Sequence, residues 1–177
     1  KSTNNGLVGG VIGGCDGQGI INKCFISCNV SNTGTGGGNV GGIAGWVSST
    51  DLLIINCIYY GEEITNDNNG NGGVGGIVGC LSASSMGNTT AVNCASFARK
   101  ISTGPSNANI AGIAGYANTV TINNCYSPTP ASALYYNGKA EGSSRGSIYG
   151  WLRGNNGATG SSGNIINAYW LDGFKAG

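Results

Sequence analysis

The chain has no histidine among its 177 residues, only 8% of them are charged, and the formal net charge is +1. Ordinary globular proteins carry about 25% charged residues. Without histidine, the side chain most often used as a general base and as a metal ligand is absent. The eight basic residues are scattered along the chain. This distribution argues against nucleic-acid binding, which depends on basic patches.

Proline and long apolar stretches are also scarce. Proline occurs three times and no Gly-X-Y period is present, so a collagen helix is excluded. The apolar runs are far shorter than the roughly 20 residues of a membrane-spanning helix, and we expect no direct membrane insertion. No signal peptide is visible before the first repeat.

Glycine, by contrast, is abundant at 35 positions, and much of it belongs to a block that recurs five times. The block reads Gly-aliphatic-any-Gly, and the steps between its copies are about 32, 34, 36 and 35 residues. Repetition at such a period indicates a solenoid or another repeat array. The copies are Gly10–Gly13, Gly42–Gly45, Gly76–Gly79, Gly112–Gly115 and the weaker Ser147–Gly150.

A second block, aliphatic-Asn-Cys, follows each glycine block. Its copies are Ile20–Cys24, Ile54–Cys57, Ala91–Cys94, Thr121–Cys125 and, without the cysteine, Ile165–Tyr169. The asparagine that follows the aliphatic residue precedes cysteine by one residue in copies two and three and by two in copies one and four, which predicts a one-residue bulge. A third apolar stretch ends on Val30, Ile64 or Ile101.

These stretches predict an all-β parallel β-helix of about five coils of roughly 34 residues, with three short strands per coil. The repeating glycines predict either corners with positive φ or close approach of backbones in a narrow core. We expect one domain over residues 1–177. Residues 128–145 interrupt the pattern as an irregular insertion or third strand, in which Asn137-Gly138 could turn a hairpin. Because open solenoid edges need caps, we expect a segment of a longer protein.

Four of the seven cysteines share one repeat position and should form a column: Cys24, Cys57, Cys94 and Cys125. The favoured interpretation is a stack of small buried thiols. Disulfides between coils are the alternative, although side chains that point the same way give poor disulfide geometry. Metal binding is disfavoured, because histidine and Cys-x-x-Cys pairs are absent. We predict no metal and no cofactor.

The two blocks together resemble the GLUG repeat, which occurs in bacterial adhesin-like surface proteins and immunoglobulin A metallopeptidases. The resemblance covers about residues 6–171. Copy five departs from it at Ser147 and at Ala168 or Tyr169, and isoleucine or valine replaces the name-giving leucine. It implies a β-helix in a secreted or surface-anchored bacterial protein, and it supplies no catalytic residues.

Enzymatic function is disfavoured by the residues themselves. Some polysaccharide lyases and hydrolases are β-helices, but this is analogy of fold alone. Glycoside hydrolysis needs two convergent carboxylates. The few acids here form no such cluster, and Glu62 and Glu63 are strand neighbours expected to point to opposite sides. We predict no catalytic residues.

Aromatic residues give the remaining functional hint. Trp46, Tyr116 and Trp151 follow the glycine block at one position and are expected to stack as a column that covers the core or shields a coil corner. Binding of a ligand by exposed aromatics is the alternative. The pairs Tyr59-Tyr60 and Tyr135-Tyr136 are predicted to bind a host or dietary glycan or a matrix protein. Two functions therefore remain open, an adhesin-type module and a passive stalk that spaces other domains of the same chain from the cell.

Overall fold

The computed structural model describes residues 6–49, 51–67, 72–83, 89–104, 109–136, 145–153 and 164–170. These residues wind into stacked coils whose strands pair in parallel with the equivalent strands of the next coil. The predicted all-β parallel β-helix is confirmed. Four of its five sheets are five strands deep, so the first and last strands lie about four turns apart.

Each full coil contributes one strand to each of five sheets, numbered I to V in chain order. Sheet I contains β1 (Val8–Gly9), β6 (Val40–Gly41), β11 (Gly73–Gly75), β16 (Asn109–Ala111) and β21 (Arg145–Gly146). Sheet II contains β2 (Ile12–Cys15), β7 (Ala44–Ser49), β12 (Val78–Ala83), β17 (Ala114–Asn118) and β22 (Tyr149–Arg153). Sheet III contains β3 (Gly19–Asn22), β8 (Leu52–Ile55), β13 (Thr90–Val92), β18 (Thr121–Asn123) and β23 (Asn164–Ile166).

Sheet IV contains β4 (Phe25–Ile26), β9 (Ile58–Tyr59), β14 (Ala95–Ser96), β19 (Tyr126–Ser127) and β24 (Tyr169–Trp170). Sheet V contains β5 (Val30–Asn32), β10 (Glu63–Asn66), β15 (Lys100–Thr103) and β20 (Leu134–Tyr136). One 3-10 turn, Ala131–Ala133, precedes β20.

Five strands per coil replace the three that the sequence predicts, because two of the three apolar stretches bend once. The glycine block bends at Gly42 and Ile43, which separates β6 from β7. The Asn-Cys block bends at Asn56 and Cys57, which separates β8 from β9. Backbone hydrogen bonds between coils continue through both corners, as in Ile43 N to Ile77 O at 2.9 Å and Asn56 N to Val92 O at 3.0 Å.

The predicted bulge in copies one and four is wrong. Strand pairing aligns Asn22 with Ile55 and Val92 with Asn123, so the cysteines fall in register without an inserted residue. The residue before each of the four column cysteines has positive φ and turns the corner. This residue is asparagine in copies two to four (Asn56, Asn93 and Asn124, φ 50–54°) and Lys23 in copy one (φ 56°). Asparagine suits that conformation because it tolerates the left-handed region better than most residues.

The repeating glycines serve close approach of backbones. A Cβ placed on Gly42 would lie 2.5 Å from Cγ of Tyr59, and one on Gly79 would lie 2.5 Å from the backbone nitrogen of Val40. Neither distance leaves room for a methyl group. Of the two explanations for the glycine block, the structure therefore selects the narrow core.

The core is a set of columns that run along the solenoid. Ile43, Ile77, Ile113 and Ile148 are fully buried beside the glycines. The third stretch forms an in-register column of Val30, Ile64, Ile101 and Leu134 in sheet V. Within the predicted interruption at 128–145, residues 134–136 thus continue sheet V, while Asn137-Gly138 lie outside the described residues.

Candidate functional site

Four exposed or half-exposed rings form a continuous row along the outer side of sheet IV and the corner that follows it. We call Phe25, Tyr60, Phe97 and Tyr126 the aromatic ribbon. Their ring centroids are separated by 6.3 Å, 5.5 Å and 5.8 Å in that order. Ile58 and Tyr169 extend the apolar surface in the same sheet and are also exposed. The ribbon therefore crosses four coils.

The backbone holds these rings in place. Tyr60 N donates to Ile26 O at 2.6 Å and Phe97 N donates to Tyr59 O at 2.8 Å, so inter-coil pairing continues past the ends of β9 and β14. Phe25 and Tyr126 occupy one strand position, whereas Tyr60 and Phe97 stand two residues further along their coils. Tyr60 and Phe97 therefore face each other in register. The first and last pairs of the row meet across a diagonal of two residues, which long aromatic side chains can span.

A small cleft opens beside the middle of the ribbon. It has a volume of about 220 Å³ and is lined by Tyr60, Gly61, Glu62, Phe97 and Arg99. Arg99 Nε lies 3.4 Å from Glu62 Oε2, and both side chains are largely exposed. Such a pair contributes little to stability in water. Its chemical consequence is that the two charges compensate each other next to the rings.

Asparagine amides line the other side of the ribbon. Asn56 Nδ2 donates to Asn22 Oδ1 at 3.0 Å, Asn93 Nδ2 to Asn56 Oδ1 at 3.2 Å, and Asn124 Nδ2 to Asn93 Oδ1 at 3.2 Å. We call these four residues the asparagine ladder. All four are exposed. An amide has two N–H donors and two oxygen lone pairs, so each inner member keeps capacity for further hydrogen bonds after its ladder bonds.

The four predicted column cysteines occupy one position of successive coils, at the corner between sheets III and IV. Cys57 Sγ donates to Ile55 O at 3.2 Å, and Cys94 and Cys125 make the equivalent bond to the carbonyl two residues earlier. Three of these cysteines are buried, Cys24 is half-buried, and all seven cysteines of the chain are free thiols. The thiols therefore satisfy corner carbonyls within the wall.

Mutual hydrogen bonding and burial shift the ionisation of these thiols. The bond with Cys94, followed by burial, raises the pKa of Cys57 well above its ordinary value. The bond with Cys125 raises the pKa of Cys94 to about 12, and the same contact lowers the pKa of Cys125. Burial raises the pKa of Cys24. Raised values disfavour the thiolate, which is the nucleophilic form and the metal-binding form.

The prediction that Tyr59 binds a ligand is wrong, because its side chain is fully buried. Neighbouring strand residues point to opposite faces, and here Tyr59 turns inward over Gly42 while Tyr60 turns outward. The Tyr59 hydroxyl donates to Glu63 O at 2.8 Å, and burial raises the pKa of this phenol.

The other predicted tyrosines lie in different places. Tyr60 belongs to the aromatic ribbon and has a relative exposure of 60%. Tyr135 is half-buried in sheet V, where Lys100 Nζ lies 6.0 Å from its ring centroid. The backbone of Tyr136 belongs to β20, and its side chain lies outside the described residues. The four tyrosines therefore do not share one surface.

A second aromatic column lies on sheet II. Trp46, Cys80, Tyr116 and Trp151 pair in register, so the two tryptophans and Tyr116 share one position of successive coils. Tyr116 and Trp151 meet edge to face with centroids 5.3 Å apart. Cys80 separates Trp46 from that pair, so the column carries no continuous row of rings.

The remaining surface offers a cleft of about 430 Å³ over coils one and two, where Gln18 Nε2 donates to Asp51 Oδ2 at 3.2 Å. Glu62 and Glu63 form ion pairs with Arg99 and Lys100. Among the described residues, no group of three or more cysteine and acidic side chains is arranged to hold a metal ion. The described part of the chain also contains no helix long and apolar enough to cross a membrane.

Comparison with known proteins gives no assignment. The chain matches no protein-family model, and neither the curated proteins nor the solved structures include a significant match.

Proposed function

We propose that this chain is a non-enzymatic β-solenoid module of a secreted or surface-anchored bacterial protein, and that its aromatic ribbon binds an extracellular glycan or matrix protein. The observation that carries the proposal is the unbroken row of rings from Phe25 to Tyr126 on an outer wall. Exposed apolar patches of this kind mark interaction sites. The resemblance of the glycine and Asn-Cys blocks to the GLUG repeat of adhesin-like proteins supports the same assignment.

The non-enzymatic part of the proposal rests on the acids. Glu62 and Glu63 engage Arg99 and Lys100 respectively, so the only adjacent acids of the sequence are ion-paired with different partners. Glycosidases instead direct two carboxyl groups at one bond. Lyase or hydrolase activity is the least favoured function.

A passive stalk is the second candidate, because the ring contacts and the asparagine ladder also stabilise neighbouring coils. Binding assays separate the two functions. The purified chain is tested on immobilised glycans, collagen and fibronectin, together with the double variant Tyr60→Ser/Phe97→Ser and the control Trp151→Ser on sheet II. Circular dichroism and thermal unfolding verify that each variant is folded.

An adhesin-type module retains binding in the control and loses it in the ribbon variant. If the folded wild-type chain binds no probe, or if the ribbon variant binds as well as wild type, the ribbon is not a ligand surface and the stalk function is favoured.

A further inference from the structure

The aromatic ribbon and the asparagine ladder run side by side along the solenoid. Asn124 precedes Tyr126 by two residues, which limits their Cα separation to about 7 Å. In the two middle coils the ring stands four residues after the amide, which limits the Cα separation there to about 14 Å. The strip of rings and the strip of amides therefore follow the same direction and lie closest together in the first and fourth coils. A ligand that lies along the axis could touch both strips there.

We propose that this double strip binds a neutral polysaccharide chain, extended parallel to the solenoid axis with about one sugar unit per coil. This inference rests on the proposed function and narrows it to one ligand class. Successive parallel strands are about 4.8 Å apart, and the ribbon rings repeat at 5.5–6.3 Å. Both spacings are similar to the length of one pyranose unit in an extended chain.

The chemistry of the two strips matches the two sides of a sugar. A pyranose ring presents C–H bonds on its faces, and these pack against apolar aromatic surface such as the exposed rings of Phe25 and Tyr60. Its hydroxyl groups lie around the edge and both donate and accept hydrogen bonds. The amides of Asn56 and Asn93 offer the complementary donors and acceptors.

The absence of a charged row on this surface favours a neutral polysaccharide over an acidic one. The eight residues of the ribbon and the ladder are uncharged. The nearest ion pair beside the rings, Glu62 with Arg99, compensates itself. Lys23 in the first coil is a single charge at one end of the ladder. A polyanionic glycan would meet no row of cations here, whereas a neutral chain leaves no charge unpaired.

The test is isothermal titration calorimetry of the whole chain with cello-, xylo- and chito-oligosaccharides of two to eight units. We expect at least one neutral series to bind, with affinity that rises about tenfold or more from two units to about four and then levels off as the ribbon is filled. Tyr60→Ser should weaken binding at least tenfold, as expected for a central interface aromatic. Asn93→Gly keeps the left-handed corner but removes the amide, and should weaken binding about two- to tenfold.

Trp151→Ser is the matched control and should bind as wild type does. Alginate oligosaccharides, heparin, collagen and fibronectin serve as competing probes. Ribbon-dependent binding to collagen, fibronectin or an acidic glycan alone overturns the neutral-glycan inference and leaves the proposed function standing. Ribbon-dependent self-association in analytical ultracentrifugation, without glycan binding, overturns it too. Absence of ribbon-dependent binding to every probe overturns both.

Discussion

Replacing Gly76 with alanine tests whether the glycine block is required by close packing of the coils. Gly76 is the first glycine of the third block. A Cβ at this position would overlap the carbonyl oxygen of Gly112 in the next coil and the hydroxyl of Ser96 across the core, and would lie 2.5 Å from the Ser96 Cβ. The Ser96 hydroxyl can rotate away. The Gly112 carbonyl belongs to the backbone and must move with its coil.

The expected cost follows from three contributions. Overpacking of a tight core costs about 1–3 kcal/mol. Displacement of the neighbouring coil weakens the bond from Gly76 N to Ala111 O, now 3.1 Å, and such a bond is worth about 0.5–1.5 kcal/mol. Alanine also lowers the conformational entropy of the unfolded chain, and this stabilises the folded state by about 0.4–1 kcal/mol. We expect a net destabilisation of about 2 kcal/mol.

The measurement is the free energy of unfolding from urea titration, with Gly17→Ala as the control. A Cβ on Gly17 would meet nothing within 4 Å, so this variant reports the unfolded-chain effect alone. The double variant Gly76→Ala/Ser96→Ala should keep most of the loss, because the backbone overlap remains. If Gly76→Ala and Gly17→Ala agree within about 0.5 kcal/mol, the ordinary range for neutral surface changes, the close-packing explanation is refuted.

Three further predictions concern the corner and the thiols. Asn93→Ala should be less stable than Asn93→Gly by about 1 kcal/mol in urea titration, because φ is 52° at this position. In an ordinary strand alanine is the more stable of the two. Equal stabilities would contradict this prediction. Burial raises the pKa of Cys80 to about 12 from an ordinary 9.0, so the unfolded thiol ionises first and stability should fall between about pH 9 and 12. Cys80→Ala should flatten that fall in pH-dependent unfolding, and an unchanged slope would contradict the assignment. Iodoacetamide at pH 8 should modify exposed Cys28 quickly and buried Cys94 only after denaturation, as mass spectrometry of the digested protein would reveal.

The period and the core of the fold could be predicted because each depends on residues that recur at a fixed position. The glycines and the aliphatic residue between them are confined by neighbours on both sides, so each coil repeats them. The alignment of Asn22 with Asn56 was less predictable. Their amides are hydrogen-bonded, yet Asn22 stands one backbone position earlier in its coil. An alignment of the repeats by residue type therefore predicts a bulge that the strand register does not contain.

The aromatic ribbon could not be predicted from the sequence for a related reason. Repeat alignment finds residues that share a position, but Tyr126 lies in register with Ala95, and Phe97 contacts its ring from two residues further along. Strand alternation alone would have separated buried Tyr59 from exposed Tyr60. The first and last ring contacts of the ribbon, however, form diagonally between coils, and no sequence pattern predicts such a contact.

The two kinds of column therefore differ in how much they constrain the chain. Inside the wall, a methyl group at Gly42 has no space, and register is fixed to the residue. On the surface, a long side chain can reach the equivalent side chain of the next coil from more than one position of its own coil. The row of rings or amides therefore stays continuous although its members stand at different positions in different coils. A ligand surface on this solenoid can consequently change its composition without disturbing the coils beneath it. If so, Tyr60→Ser should leave the free energy of unfolding within about 3 kcal/mol of wild type, the upper range for its two ring contacts, even where it removes binding.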